Sequence, residues 1–376
     1  MMDIGLPFNK QPIIDSYSYH ANIVAIISQY EDLEPWIYGR FLRLAYCKDN
    51  NYLDFCDGDY FDYYRCRTMY ANGSRYLAEY RNYPFLECID MTGECASQEL
   101  VPLLTACMND GYYAIIHLDH YFIAATDVYG ISHKNHECIV YGYNLDKQVF
   151  YAADNFVSGK YVSIEIGFAE MEKARRASEE RELKRAMKVR VAEDRQEEGI
   201  NINGIIKKLQ EYASGTDSSM YGIITGFSEE GGFIHNGFQY DWHWYEHADR
   251  QAFIYGVDIY SFFIDDLREV GANRSKIDLR RYHTMYNHKV VLCKLYHYLT
   301  SKSFMQVNRQ LETQLNELAK QCILLQNIVL KYNVTRDIKL LDVLMKYHEQ
   351  SIQQEQAMVQ QFVGGLERSG SRCLFV

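Results

Sequence analysis

The sequence predicts an α+β chain with a mixed first half and a mainly helical second half. Three observations predict it. Two alternating apolar runs, His136 to Tyr143 and Gln148 to Asp154, flank Asn144-Leu145-Asp146 and read as an antiparallel hairpin. Ala21, Ile23, Ile26, Ile27 and Tyr30 form an apolar stripe at helical spacing. Phe304, Val307, Leu311, Leu315, Leu318, Cys322, Leu325 and Val329 recur every three or four residues, the mark of a long amphipathic helix. At 376 residues the chain exceeds one ordinary domain. The expected division is a catalytic-type mixed domain over 1–167, a charged helical linker over 168–198 and a mainly helical accessory domain over 199–376.

The first helix opens from Asp15-Ser-Tyr-Ser-Tyr-His20, with Ser18 at its mouth. Unpaired N–H groups and the helix dipole favour developing negative charge there, although a serine in that place is most often a simple N-cap. Gly111 to Phe122 alternates as a strand that ends in Asp119 and His120. In the hairpin, a turn centred on Leu145 places His136 opposite Asp154. Opposed residues share a face with Cβ atoms roughly 5 Å apart, and a slip of one residue would present Asn155 on the other face instead. A carboxylate so placed fixes an imidazole's tautomer and stabilises its protonated form, which is the base half of a catalytic triad. His133, three residues before His136, is not expected to complete a metal site.

Between Lys173 and Arg190 basic residues outnumber acidic ones, a run that reads as a solvated helix face and a candidate dock for an acidic partner. Past the long stripe, Asn333 to Asp337 reads as a turn with Thr335 as N-cap of a second helix through Leu341, Leu344 and Tyr347, giving an antiparallel pair. The tail from Gly364-Gly365 to Val376 is expected to be mobile, and its last four residues, Cys373 to Val376, match a prenylation box only superficially. His243-Trp-Tyr-Glu-His247 fits the H-x-x-E-H spacing of zinc peptidases. Its aromatic flanks and the lack of a third ligand favour packing, so no metal or other cofactor is expected.

Composition narrows the function classes. A net charge of −11 argues against nucleic acid as partner. No apolar run approaches the roughly 20 residues that span a bilayer, so a cytoplasmic protein without a membrane partner is expected. The 10 cysteines show no CxxC spacing and read as buried or free thiols. The 33 tyrosines supply amphipathic packing and suit a pocket for polar, extended substrates.

The order of Gln11, Ser18, the helical stripe from Ala21 to Tyr30, His136 and Asp154 resembles papain-fold cysteine enzymes of the bacterial C39-like kind. The strings His136-Glu-Cys-Ile-Val-Tyr-Gly-Tyr-Asn144 and Phe150-Tyr-Ala-Ala-Asp154 are similar to the branch that includes the butirosin-type acyltransferase N-terminal domain and closthioamide-type amide synthetases of antibiotic gene clusters. Asp278 to Lys289 also resembles a segment of their carboxyl half. The resemblance implies a papain-like cysteine-protease fold, with an N-terminal helix plus antiparallel sheet. It puts Ser18 in the place of the nucleophilic cysteine, His136 as base, Asp154 as its orienting acid and Gln11 in an oxyanion hole, with Asp119, His120 and Asn155 as candidate cleft residues.

The activity it implies is an acyltransferase or amide synthetase of peptide-type antibiotic biosynthesis. An acyl group would pass from the phosphopantetheine thioester of a carrier protein to a small amine. A peptidase or other hydrolase would use the same residues, and a catalytically silent binding protein would retain them as packing. The departure is the hydroxyl at position 18: a thiol can ionise beside an imidazole at neutral pH, whereas a serine needs its proton removed during attack. A natural serine variant, a binding protein that lost its chemistry and a cysteine-to-serine replacement all fit, and the intact remainder of the constellation favours the last. A homodimer through the helical pair is an open expectation.

Overall fold

The computed structural model describes residues 3–48, 51–56, 85–180, 186–195, 199–216, 226–227, 232–235, 238–241 and 253–373. The His243–His247 motif and the final three residues lie outside them. The chain is α+β, with antiparallel sheets and a helical C-terminal region. It divides into two compact units, Met1–Glu34 with Arg67–Glu198, and Pro35–Cys66 with Gly199–Val376.

The first unit is built on a seven-stranded sheet in the order β4 (Leu86–Asp90), β9 (Ala186–Val191), β5 (Tyr113–Asp119), β6 (Asn135–Asn144), β7 (Val149–Val157) and β8 (Lys160–Gly167), with β1 (Asp3–Gly5) pairing the far end of β6. Every pairing is antiparallel. One sheet face presents Ala114, Ile116 and Leu118 of β5, Cys138, Val140 and Tyr143 of β6, and Phe150, Ala152 and Phe156 of β7. Leu100, Leu104, Cys107 and Met108 of α4 (Leu100–Asn109) and Met171 and Ala174 of α5 (Phe168–Glu180) cover it. The other face receives α1 (Ser18–Ile27), on which Ala21, Ile23, Ile26 and Ile27 are buried as the stripe predicts. Asn22 of α1 donates to Glu137 at 3.3 Å and accepts from the Tyr161 hydroxyl at 2.8 Å.

The hairpin forms in a register different from the expected one. The turn spans residues 145–148, with Gln148 at φ 56°, and the strands pair Asn144 with Val149, Tyr143 with Phe150 and Gly142 with Tyr151. Between Gly142 and Val140 the ladder shifts by one residue, so that Val140 pairs with Ala152 and Ile139 with Ala153. Tyr141 is the extra residue of a β-bulge. Its carbonyl accepts from Leu6 N–H at 2.8 Å and its ring stacks on Phe8 at 4.3 Å. The bulge explains why the β6 residues on the helix-covered face change from even to odd numbers, Cys138 and Val140 before it and Tyr143 after it. A side chain at Gly142 would meet the Ile4 carbonyl, Gly5 and the Tyr151 ring, so glycine is what lets β1 lie on β6.

The stretch 168–198, expected as a linker, is part of the sheet unit. Its first half is α5, but Ala186 to Val191 alternates as a strand between β4 and β5. The basic run is therefore not one helix face. Arg175 is buried, and Lys188 and Arg190 both lie over the Tyr112 ring.

The second unit contains α2 (Glu34–Arg40), the sheet β13 (Phe253–Tyr255), β2 (Leu44–Cys47) and β3 (Tyr52–Phe55), and a small sheet of β10 (Gly226–Phe227), β11 (Gly232–His235) and β12 (Phe238–Asp241). Among the described residues its further helices are α6 (Ile202–Ser214), α7 (Asp258–Asn273), α8 (Leu279–Ser301), α9 (Arg309–Thr335) and α10 (Lys339–Cys373), while α3 (Thr92–Ser97) belongs to the first unit. Leu311, Leu315, Leu318, Cys322, Leu325 and Val329 of α9 are buried as their spacing predicts, while Phe304 and Val307 precede the helix and are exposed. Thr335 ends α9, and the carboxylate of Asp337, not the Thr335 hydroxyl, accepts the Lys339 N–H at 3.1 Å. Helix α10 continues through Gly364-Gly365, where a mobile tail is expected, and Gly365 lets the Met305 thioether pack closely on the helix.

The helical core also holds charge. Lys289 Nζ lies 2.6 Å from Glu355, 2.8 Å from the Tyr212 hydroxyl and 3.1 Å from His288 Nδ1, while Tyr212 and Tyr260 donate to Glu355. Burial and the neighbouring Lys289 hold His288 neutral well below its ordinary pKa, which fits Nε2–H donating to Leu42 O at 2.9 Å and Nδ1 accepting from Lys289. Among the described residues, no helix is long and apolar enough to cross a membrane.

Candidate active site

His136 is the second residue of β6 and lies opposite Leu118 of β5. Asp154 of β7 is offset diagonally from it: continued from the Ile139–Ala153 pair, the ladder sets 136 against 156. The expected register is thus off by two residues. An even shift keeps Asp154 on the face of His136, whereas the register of the turn alone, without the bulge, would have turned it away.

The contact itself is close. His136 Nδ1 lies 2.8 and 2.7 Å from the two carboxylate oxygens of Asp154. Asp154 is wholly buried and also accepts from Asn155 N–H at 2.6 Å and from His120 Nε2 at 3.1 Å. An ionised carboxylate is acceptor-only, so both histidines present N–H to it. That assignment leaves the lone pair of neutral His136 on Nε2. Among the described residues Nε2 has no hydrogen-bond partner, and the His136 side chain is 26% exposed. The arrangement is an oriented imidazole whose Nε2 is free of hydrogen bonds to the described residues.

Electrostatics support the same roles. Burial alone would raise the Asp154 pKa, but the His136 and His120 donors outweigh it and hold the carboxyl well below the usual range. Burial would lower the His136 pKa, but the adjacent Asp154 carboxylate overcomes this and raises it. His136 is thus a stronger base than a solvated imidazole, and it is paired with an acid that stays ionised.

His120 was expected only as a cleft residue; it belongs to the cluster itself. It lies just past β5, in a short 3-10 turn over His120–Phe122, with its ring 5.6 Å from that of His136 and 5.2 Å from Phe156. The turn is held by Asp119, which accepts from Tyr121 N–H and Lys134 N–H at 3.1 Å each and from His133 Nδ1 at 2.6 Å. Burial opposes ionisation of Asp119, but these donors lower its pKa. Asp119 is therefore the peg of the 120–134 loop, and His133 is its partner. The signal for His120 is its place in the β5 alternation, two residues beyond Leu118, which pairs with His136.

The remaining sequence candidates add no side chain to this cluster, although the Asn155 backbone N–H bonds Asp154. Asn155 donates from Nδ2 to Gly159 O at 2.9 Å and shapes the β7–β8 turn, in which Ser158 and Gly159 both have positive φ. Gln11 is exposed, with its backbone N–H on Asn9 Oδ1 at 3.0 Å. Ser18 is the first residue of α1 and is buried; Tyr17 takes the N-cap position, and its side chain does not cap the helix. Its side chain makes no hydrogen bond to His136 or Asp154. One turn on, Asn22 anchors that flank of α1 to Glu137 and Tyr161, on the sheet face opposite His136 and Asp154.

The donor atoms of His120, His136 and Asp154 lie within 4.8 Å of one another, a spacing that a metal ion could use. Shared protons account for the same closeness. The described thiols at Cys107, Cys138 and Cys322 are buried, and burial raises the pKa of each, so none is an activated nucleophile. No protein-family model matches the chain, and no curated protein matches it.

Proposed function

We propose that the first unit is a papain-like acyl-transfer domain in which His136, oriented by Asp154, moves the protons. The observation that carries this reading is the buried Asp154 on His136 Nδ1, with Nε2 not bonded to any described residue. In the reading implied by the resemblance, a carrier-bound acyl thioester is attacked by the side chain at position 18. This route requires the nucleophile's proton to reach His136 Nε2, although Ser18 makes no hydrogen bond to His136 and α1 rests on the opposite sheet face. The proton then goes to the departing thiol, and an amine resolves the acyl-enzyme to an amide, returning its own proton through His136 to position 18. Gln11 and backbone N–H groups at the start of α1 would hold the oxyanion.

A second reading has its own support. Because α1 rests on the opposite sheet face, His136 can serve as base to a bound amine that attacks the thioester directly. No covalent intermediate then forms.

The experiment uses Ser18, Ser18→Cys, Ser18→Ala and His136→Asn forms with an acyl-pantetheine thioester and a panel of amines, analysed by intact mass and product mass. Amide formed by Ser18→Cys through a covalent adduct supports the first route. Equal turnover by Ser18→Ala supports the second. Free acid in place of amide would make the protein a hydrolase, and activity that survives His136→Asn would remove His136 from the chemistry.

A further inference from the structure

We propose that His120 is a positioning residue for the proton-transfer pair, holding the Asp154 carboxylate in place so that it sets the basicity of His136. The inference rests on the reading of His136 as the proton carrier. Asp154 has two oxygens and three donors: Asn155 N–H on Oδ1 at 2.6 Å, His120 Nε2 on Oδ2 at 3.1 Å, and His136 Nδ1 within reach of both oxygens. His120 and Asn155 thus clamp the two ends of the carboxylate, leaving it no freedom to rotate away from His136.

His120 is itself immobilised. Its N–H donates to Lys134 O at 2.9 Å, its carbonyl accepts from Thr126 Oγ1 at 2.8 Å, and its ring packs on Phe156. A side chain fixed at backbone, loop and ring, with only 1% exposure, supplies a donor whose position does not depend on solvent.

The donor also shares out the negative charge. Each hydrogen bond that Asp154 accepts elsewhere weakens its pull on the His136 imidazolium. Removing the His120 donor while preserving apolar volume raises the His136 pKa and loosens the carboxylate. The other charged groups that act on His136 are Lys134, which opposes its protonation, and Glu137, which favours it. Asp119 faces away from His136, bonded to His133 Nδ1 at the base of the loop.

The test follows the histidine Cε1–H resonances of the full chain through a pH titration in the native protein, His120→Leu and His120→Gln, alongside the pH profile of acyl transfer. His120→Leu is expected to raise the His136 pKa by about one unit, to shift the acidic limb of the rate profile equally and to lower kcat roughly tenfold. His120→Gln, which restores an N–H near the Nε2 position, is expected to return both towards native values. An unchanged His136 pKa in His120→Leu with a lowered Tm would make His120 a packing residue and overturn the proposal.

If His120→Leu does not fold, the native protein alone decides: long-range ¹H–¹⁵N spectra must show His120 Nε2 protonated, and the Nδ1–H tautomer refutes the proposal. One equivalent of zinc in the native protein, absent from His120→Leu, would make His120 a metal ligand and equally overturn it. Lack of turnover on every thioester, with the pKa shift intact, would remove the acyl-transfer reading and leave the His120–Asp154–His136 coupling standing.

Discussion

Replacing Asp154 by Asn tests the centre of the cluster without changing its shape. Three donors now converge on the buried carboxylate. An amide offers one acceptor oxygen and an NH₂, so at least one of His136 Nδ1–H, His120 Nε2–H and Asn155 N–H must face another donor. A buried unsatisfied group costs about 1–3 kcal/mol, and removing one partner of a buried ionic contact costs about 3–5 kcal/mol. A loss of roughly 3 kcal/mol at neutral pH is expected.

The loss must also depend on pH. The carboxyl of Asp154 has a folded pKa below its unfolded value, so its contribution is present above the unfolded value near 4 and fades as pH falls through the folded one. The pKa of His136 is raised, so its share is complete below the unfolded value near 6.5 and fades as pH rises through the folded value. The native-minus-variant difference should therefore be greatest between about pH 4 and 6.5 and smaller on both sides. Urea unfolding of the native and Asp154→Asn proteins from pH 3 to 9 measures it. Differences below about 0.5 kcal/mol throughout, or a gap that widens above pH 8, would refute the assignment of an ionised Asp154 bonded to a readily protonated His136. If His136 is the base, the same variant also loses acyl transfer by a factor on the order of 10⁴, since the tautomer is no longer fixed.

Gly142→Ala drives a methyl group into the Ile4 carbonyl and the Tyr151 ring; a cost of about 1–3 kcal/mol and faster amide exchange at Leu6, read by hydrogen–deuterium exchange, are expected. Lys289→Met strands the buried Glu355 carboxylate and should destabilise by about 3–5 kcal/mol in chemical denaturation, whereas Lys289→Met with Glu355→Leu should recover at least about 1 kcal/mol of it. A double variant no better than the single one would show that the tyrosine hydroxyls, not the ion pair, dominate that network.

The strands of the hairpin were legible because period-two alternation is imposed by burial. Their register was not. No glycine marks the 145–148 turn, and Gln148 adopts positive φ without a residue type that announces it. The bulge at Tyr141 depends on Leu6 and Phe8, distant in sequence. Placing His136 and Asp154 together held only because the register error and the true pairing differ by an even number.

The helices α9 and α10 were legible from their spacing. Gly364-Gly365 misled, because glycine as helix breaker and glycine as contact surface look the same in one dimension. Ala186 to Val191 carries an alternation that its charges obscured, and its partners β4 and β5 come from far earlier in the chain. The β5 alternation puts His120 on the face of Leu118, but its bond to Asp154 also depends on the turn held by Asp119 and His133, which that alternation does not show.

The bulge at Tyr141 ties the length of the 145–148 turn to the chemistry at the far end of the hairpin. Adding or deleting one residue in that turn throws Asp154 out of phase with His136, much as a frameshift corrupts everything downstream while leaving each letter intact. Excision of Tyr141 alone removes only the extra residue: Gly142 still meets Tyr151 and Val140 still meets Ala152, so His136 and Asp154 stay in phase. A one-residue indel in the turn should therefore break the cluster while deletion of Tyr141 spares it, a contrast that single substitutions never reveal.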